Sequence, residues 1–143
     1  MTRKLVLGAL VALGAAFSAP ASANDFFIDQ YGIANEAGGG QIGVGNHAGT
    51  WQDGVANRGV TTQDGWSNTG VIGQLGAFND AQVHQRGAHN VGGVGQIGAG
   101  HDAIMTQDGA GNVAAAVQVG ENCNGSVNQN GAGNVAAIVQ HCH

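Results

Sequence analysis

Gln107-Asp108-Gly109-Ala110-Gly111-Asn112-Val113-Ala114-Ala115-Ala116-Val117 runs into Gln118, and the pattern returns as Gln129-Asn130-Gly131-Ala132-Gly133-Asn134-Val135-Ala136-Ala137-Ile138-Val139, which runs into Gln140. Each unit is 11 residues long. Outward from these two copies the glutamine recurs at one constant step, as Gln30, Gln41, Gln52, Gln63, Gln74, Gln85, Gln96, Gln107, Gln118, Gln129 and Gln140. Two places after each of the first ten stands Gly. Five places after stands Asn in eight units (Asn35, Asn46, Asn57, Asn68, Asn79, Asn90, Asn112 and Asn134), with His101 and Cys123 in the other two. Seven places after stands only Ala or Gly. Nine places after, the column opens on Gly39, Thr50 and Thr61 and then turns apolar, from Ile72 and Val83 to Ile138. Four columns in one register mark an internal repeat, which has to be settled before any fold is considered.

Each unit closes as small-x-apolar-x-Gln-x-Gly. That alternation of period two describes a strand with one face turned inward. The intervening Gly-x-x-Asn reads as a turn, because Gly and Asn both tolerate positive φ and Asn bonds readily to nearby backbone. An 11-residue period also suits a right-handed helical supercoil, but a Gly and an Asn in every unit would cost such a helix about 1 kcal/mol or more per unit. A single strand–turn unit cannot bury its own face. Two units make a 22-residue rung, and stacked rungs make an all-β solenoid of about five rungs. Stacking sets Gln on Gln and Asn on Asn, so the side-chain amides can form ladders along the axis. The ladder residues singled out are the glutamines from Gln41 onward together with Asn46, Asn112 and Asn134. Apart from Pro20, near the start of the chain and ahead of the repeats, the sequence offers neither a capping helix nor a proline to blunt the sheet edges, so the expected behaviour is polymerisation.

Composition narrows the alternatives. Only 9% of the 143 residues are charged and 5% are aromatic, so the apolar content is mostly Ala and Val and a conventional layered core is not expected. The chain begins Met1-Thr2-Arg3-Lys4, continues with an apolar run from Leu5 to Phe17, and reaches Ala21-Ser22-Ala23, a small-x-small cleavage pattern. Residues 1–23 therefore read as a signal peptide; the run is too short for a transmembrane anchor. Beyond it, Arg58 and Arg86 face nine acidic residues, a net charge of −7. That balance argues against nucleic acid and anionic membrane surfaces as partners. Residues 24–40 read either as a targeting segment or as a weak first half-repeat, and residues 41–143 as the solenoid.

The pattern Gln-x-Gly-x-Gly-Asn-x-Ala-x-x-x-Gln, matched fully from Gln41 to Gln52, from Gln107 to Gln118 and from Gln129 to Gln140, resembles the curlin repeat of curli, the functional amyloid fibres of bacterial surfaces. The resemblance spans residues 30–140. It implies a subunit that passes through the periplasm and a dedicated outer-membrane pore with its chaperones, meets another curli subunit, and assembles with itself outside the cell for adhesion and biofilm matrix. It also implies that the repeat Gln and Asn residues support assembly. The Ser that opens each repeat of major curli subunits is missing here, and so is the basic last repeat of the minor, nucleating subunit. Both subunit roles stay open.

Other residues carry weaker signals. Asp53, Asp64 and Asp108 follow a repeat Gln by one place, and Asp80 and Asp102 by six. They do not match a calcium-loop spacing and read as outward charges that slow aggregation. Cys123 and Cys142 belong to a secreted chain, where a disulfide is allowed. The alternative is a zinc or copper site built from Cys123, His141, Cys142 and His143. No triad or paired-carboxylate spacing stands out from the repeat, so neither an enzyme nor a cofactor is expected. The rival function is a monomeric secreted β-solenoid that binds through a flat face. That would call for a regular outward Thr or Asx column, whereas the tenth column runs Gly40, Trp51, Thr62, Gly73, His84, Gly95 and Thr106.

Overall fold

The computed structural model describes residues 23–143; the expected signal peptide lies outside them except for its last residue. Eleven strands follow one another: β1 (Asp25–Ile33), β2 (Glu36–Val44), β3 (His47–Val55), β4 (Arg58–Trp66), β5 (Thr69–Ala77), β6 (Asp80–Ala88), β7 (Val91–Ala99), β8 (Asp102–Ala110), β9 (Val113–Glu121), β10 (Asn124–Ala132) and β11 (Val135–Cys142). The odd strands form a six-stranded parallel sheet and the even strands a five-stranded one. The chain is a β-solenoid of five full rungs and a final half-rung. Each strand pairs with the strand two places on, and the register brings residues 22 apart together, as in Gln52 with Gln74 and Gln63 with Gln85. Residues 24–40 contribute β1 and the first part of β2, and all nine residues of β1 pair with β3.

The alternation seen in the sequence fixes which side chains enter the interior. The seventh- and ninth-column residues of the middle strands are buried, and Ile72, Val83, Val94, Met105 and Val127 form the apolar core with Ala81, Ala103, Ala114 and Ala116. The interior is thin because each small residue meets a larger one from the facing sheet. A Cβ added to Gly92 would lie 2.7 Å from Met105 Sδ. The same close fit makes the core sensitive to a single added carbon. The first rungs are poorer. Thr50 and Thr61 fill the ninth column there, and their buried hydroxyls find no partner, which costs free energy at both sites.

The turns depart from expectation in one respect. Positive φ occurs at the Gly two places after Gln, as expected, but the second such residue is four places after Gln rather than the Asn at five. It is Ala34, Ala56, Ser67, Phe78, His89 or Asn122 where it is not glycine. The asparagine keeps an ordinary φ because its side chain is needed in the interior. The Gly column is fixed by close approach: at Gly76, with φ of 127°, an added Cβ would lie 1.9 Å from the carbonyl oxygen of Gly98 in the next rung. Turn residues bond between rungs like strand residues, for example Ser67 N to Val44 O at 3.0 Å and His47 N to Asn68 O at 2.8 Å. The ladder of backbone hydrogen bonds thus continues through the corners, as buried peptide groups require.

The two outer faces are unlike. All the Arg–carboxylate pairs among the described residues lie on the five-stranded sheet: Arg58 to Asp80 at 3.1 Å, Arg58 to Glu36 at 3.9 Å and Arg86 to Asp108 at 3.6 Å. From β5 onward the outward positions of the six-stranded sheet are mostly Val, Ile, Leu, Ala and Gly.

Candidate functional site

The interior glutamines form two continuous columns, one per sheet. In the six-stranded sheet Gln30, Gln52, Gln74, Gln96, Gln118 and Gln140 are linked by Nε2–H···Oε1 bonds of 2.6 to 2.9 Å. In the other, Gln41, Gln63, Gln85, Gln107 and Gln129 are linked in the same way at 2.8 to 2.9 Å. The second amide hydrogen crosses the interior to a backbone carbonyl at the start of a strand in the opposite sheet. Gln52 donates to Glu36 O at 3.0 Å, Gln63 to His47 O at 2.9 Å and Gln107 to Val91 O at 3.0 Å. One set of amides therefore binds rung to rung and sheet to sheet. Because a backbone carbonyl can only accept, the crossing bond fixes which end of each amide is nitrogen. Gln52, Gln74, Gln96, Gln107 and Gln118 are fully buried, and this pairing is what allows five amides into so thin a core.

The asparagines line the corners. Asn68 Oδ1 accepts from the backbone N–H and the side-chain amide of Asn90, both at 3.1 Å. Asn90 Nδ2 also donates to Arg86 O in its own turn and to Gly109 O in the next rung, again at 3.1 Å. The corner column on this side runs without a break from Asn24, whose Oδ1 accepts from Asn46 N, through Asn46, Asn68, Asn90 and Asn112 to Asn134. On the other side it runs Asn35, Asn57, Asn79, His101 and Cys123. Cys123 and Cys142 are bonded to each other, with Cα atoms 5.6 Å apart. With both sulfurs in that bond, the alternative metal site has no thiolate to offer. Among the described residues no group of three or more His, Cys, Asp or Glu could hold an ion.

The structure thus gathers every ladder residue singled out from the sequence, and adds others. Gln30, Asn35, Asn57, Asn68, Asn79 and Asn90 occupy the same columns and make the same bonds. Their signal was their place in the register. Asn24 had none, since no repeat Gln stands five places before it. The five aspartates face outward. Asp80 and Asp108 are paired with arginines of adjacent rungs. Asp64 stands beside Arg86 in register, and Asp102 beside Asp80. Exposed pairs of this kind contribute only about 0–1 kcal/mol each.

The ladders are polar along the axis. Every interior Gln donates toward the C-terminal end, so among the described residues Gln129 and Gln140 are left with only their crossing bonds, to Val113 O and Asn124 O. At the opposite end Gln30 and Gln41 present Oε1 atoms that accept nothing from within the described residues. The strands β1 and β2 at one end, and β10 and β11 at the other, have one strand neighbour each. One end is thus complementary to the other. Among the described residues no helix is long and apolar enough to cross a membrane. The family model of the curlin-associated repeat matches residues 79–109, which take in β6, β7 and nearly all of β8. No curated protein matches the chain.

Proposed function

We propose, from the premise that this is a curlin-repeat protein, that the chain is a secreted structural subunit that polymerises into curli-type amyloid fibres at the cell surface, for adhesion and biofilm matrix. In this reading residues 1–23 direct export to the periplasm, and a dedicated outer-membrane pore with its chaperones releases the chain before it folds. Another curli subunit is a further partner.

The observation that carries the reading is the polarity of the amide ladders. A second copy placed one strand spacing beyond β10 and β11, about 4.8 Å away, brings Gln Oε1 atoms to the unused amide hydrogens of Gln129 and Gln140. Its first strands meet the open backbone edges at the same time. The contact joins unlike ends, so it does not close on itself and generates a filament. Each added copy reproduces the end it covered. The outward aspartates act in this scheme as gatekeepers against less ordered association.

The test is to dilute the chain from Asn24 onward out of denaturant and follow thioflavin fluorescence and cross-β diffraction. Growth with a meridional spacing of about 4.8 Å is expected. A soluble monomer that persists for days would overturn the proposal. Replacing Gln107, Gln118, Gln129 and Gln140 by Ala is expected to slow assembly more than replacing Asp53 and Asp64 by Ala, and equal effects would remove the ladder as its basis.

A further inference from the structure

The crossing bonds of the glutamines leave one donor and one acceptor open, at opposite ends of the copy. From Gln41 to Gln140 each interior Gln sends an amide hydrogen across the interior to the carbonyl that opens the facing strand, 16 residues back. The series begins with Gln41 to Asp25 O and ends with Gln140 to Asn124 O. Gln30 has no described strand before β1 to cross to, and its amide donates only to Gln52 Oε1. At the other end the carbonyl that opens β11, Val135 O, receives no glutamine among the described residues. The two ends lack the two halves of one bond.

We infer that successive copies join through a half turn, with β1 of the added copy on β10 and its β2 on β11. This rests on the filament reading above and gives its contact a geometry. The sheets end on β10 and β11, so the next strand in register falls on the five-stranded side. Gln30 of the added copy then stands to Val135 as Gln140 stands to Asn124, and the open donor meets the open acceptor. Gln30 also accepts from Gln129, and Gln41 from Gln140. At the corner Asn35 N–H meets Asn134 Oδ1, which accepts nothing within its own copy among the described residues. Seating β1 on β11 instead would leave β10 uncovered and both Gln129 and Val135 O unpaired, at a cost in free energy. The outward side chains agree. Those of β10 are mostly uncharged hydrogen-bonding groups, Asn124, Ser126, Asn128 and Asn130. Asp25 and Asp29 of the added copy fall in register on Asn124 and Asn128, a carboxylate against an amide donor in each case. On β11 they would fall on Val135 and Val139. Inside, Phe26 falls on Gly125, which has no side chain to obstruct the ring. Phe26 already needs such room in its own copy, where a Cβ added to Gly39 would lie 2.9 Å from Phe26 Cε2. The half turn carries the six-stranded sheet of one copy into the five-stranded sheet of the next, so both sides of the fibre present the same succession of strands.

The experiment determines the helical symmetry of wild-type fibres by cryo-electron microscopy. Neighbouring copies are expected to be related by a half turn and a rise of about 26 Å, which is 11 strands over two sheets at about 4.8 Å. Fibres whose copies are related without the half turn would overturn the joint and leave the filament reading standing. A chain that forms no fibres would overturn both. Seeded elongation at low salt reads the same contact through side chains. Asn128→Asp sets a carboxylate opposite Asp29 of the added copy, and like charges directly opposite are unfavourable, so growth is expected to slow roughly fivefold. Val139→Asp, at the matching exposed position of β11, faces Gly40 of the added copy and is expected to grow close to the wild-type rate. Asp29→Asn added to Asn128→Asp is expected to restore growth. Slowing by Val139→Asp equal to or greater than that by Asn128→Asp would overturn the joint, and so would a failure of Asp29→Asn to rescue.

Discussion

The two corner columns of the solenoid begin alike and end differently. On one side Asn46, Asn68, Asn90, Asn112 and Asn134 repeat one set of bonds in each rung. On the other side Asn57 and Asn79 make the same set, and then His101 and Cys123 take over. The difference shows what the position requires. It must accept the backbone N–H of the residue one rung on, and it must tie its corner to the next rung. Asn does both with one amide. His101 meets the first demand through Nδ1, which accepts from Cys123 N at 3.1 Å, and uses Nε2–H on Ile97 O of its own turn at 3.2 Å. It donates nothing to the next rung. Cys123 meets the second demand covalently. Its bond to Cys142 spans 19 residues, the same span as each Asn-to-Gly corner bond, such as Asn90 to Gly109. The disulfide occupies the place of a hydrogen bond that the rest of the column makes.

The largest effect is expected where the unbroken column is cut in its middle. Asn90→Ala leaves Asn112 N–H without its acceptor and removes the side-chain donor from Asn68 Oδ1, Arg86 O and Gly109 O. Buried groups left unpaired cost roughly 1–3 kcal/mol each, so a loss of about 3 kcal/mol is expected in urea denaturation of the freshly refolded chain. His101→Ala removes two bonds rather than five and is expected to cost less. Equal losses would mean that the two columns do not differ in this way.

The corners and faces also differ in how far the sequence made them legible. The Gln and Asn columns were readable because residue identity is nearly strict there, and one register fixes which faces meet. The inward seventh and ninth columns followed from alternation alone. The positive φ four places after Gln was not readable, since Ala34, Ser67, Phe78 and His89 share no preference for it. The backbone is driven there by the Gly before and the buried Asn after. The disulfide was one of two options until Cys142 was placed beside Gly120 in register. The unlike outer faces were hidden for a different reason. An 11-residue step overlays both sheets, and only the 22-residue rung separates apolar Leu75, Ile97 and Val119 from Asp64, Arg86 and Asp108.

The next effect concerns the covalent corner. Closing a loop of this length contributes about 3 kcal/mol in the chain-entropy account, but it acts on the last rung alone. Reduction is expected to speed hydrogen exchange of β10 and β11 and to leave β3 to β7 protected, because each rung touches only its neighbours. Cys123→Asn with Cys142→Gly rebuilds the column pattern. It is expected to recover most of the lost protection without any covalent link. Exchange as fast as in the reduced chain would show that the corner needs the bond itself.

The smallest effect runs in the stabilising direction. His101 is buried at 1% exposure and serves as acceptor and donor within its own side of the rung. His101→Asn keeps the acceptor for Cys123 N, restores a side-chain donor to Asn79 Oδ1, and supplies one for Gly120 O that the imidazole does not reach. Asn90 holds the equivalent bonds on the opposite corner. Each net hydrogen bond contributes about 1 kcal/mol, and the larger ring's apolar packing is forfeited in exchange, so a gain of about 1 kcal/mol is expected from the shift in the urea midpoint. The cavity left by the ring is the opposing quantity. A variant less stable than wild type would show that His101 is held there by its volume, and that its corner has been repacked around it rather than merely deprived of an amide.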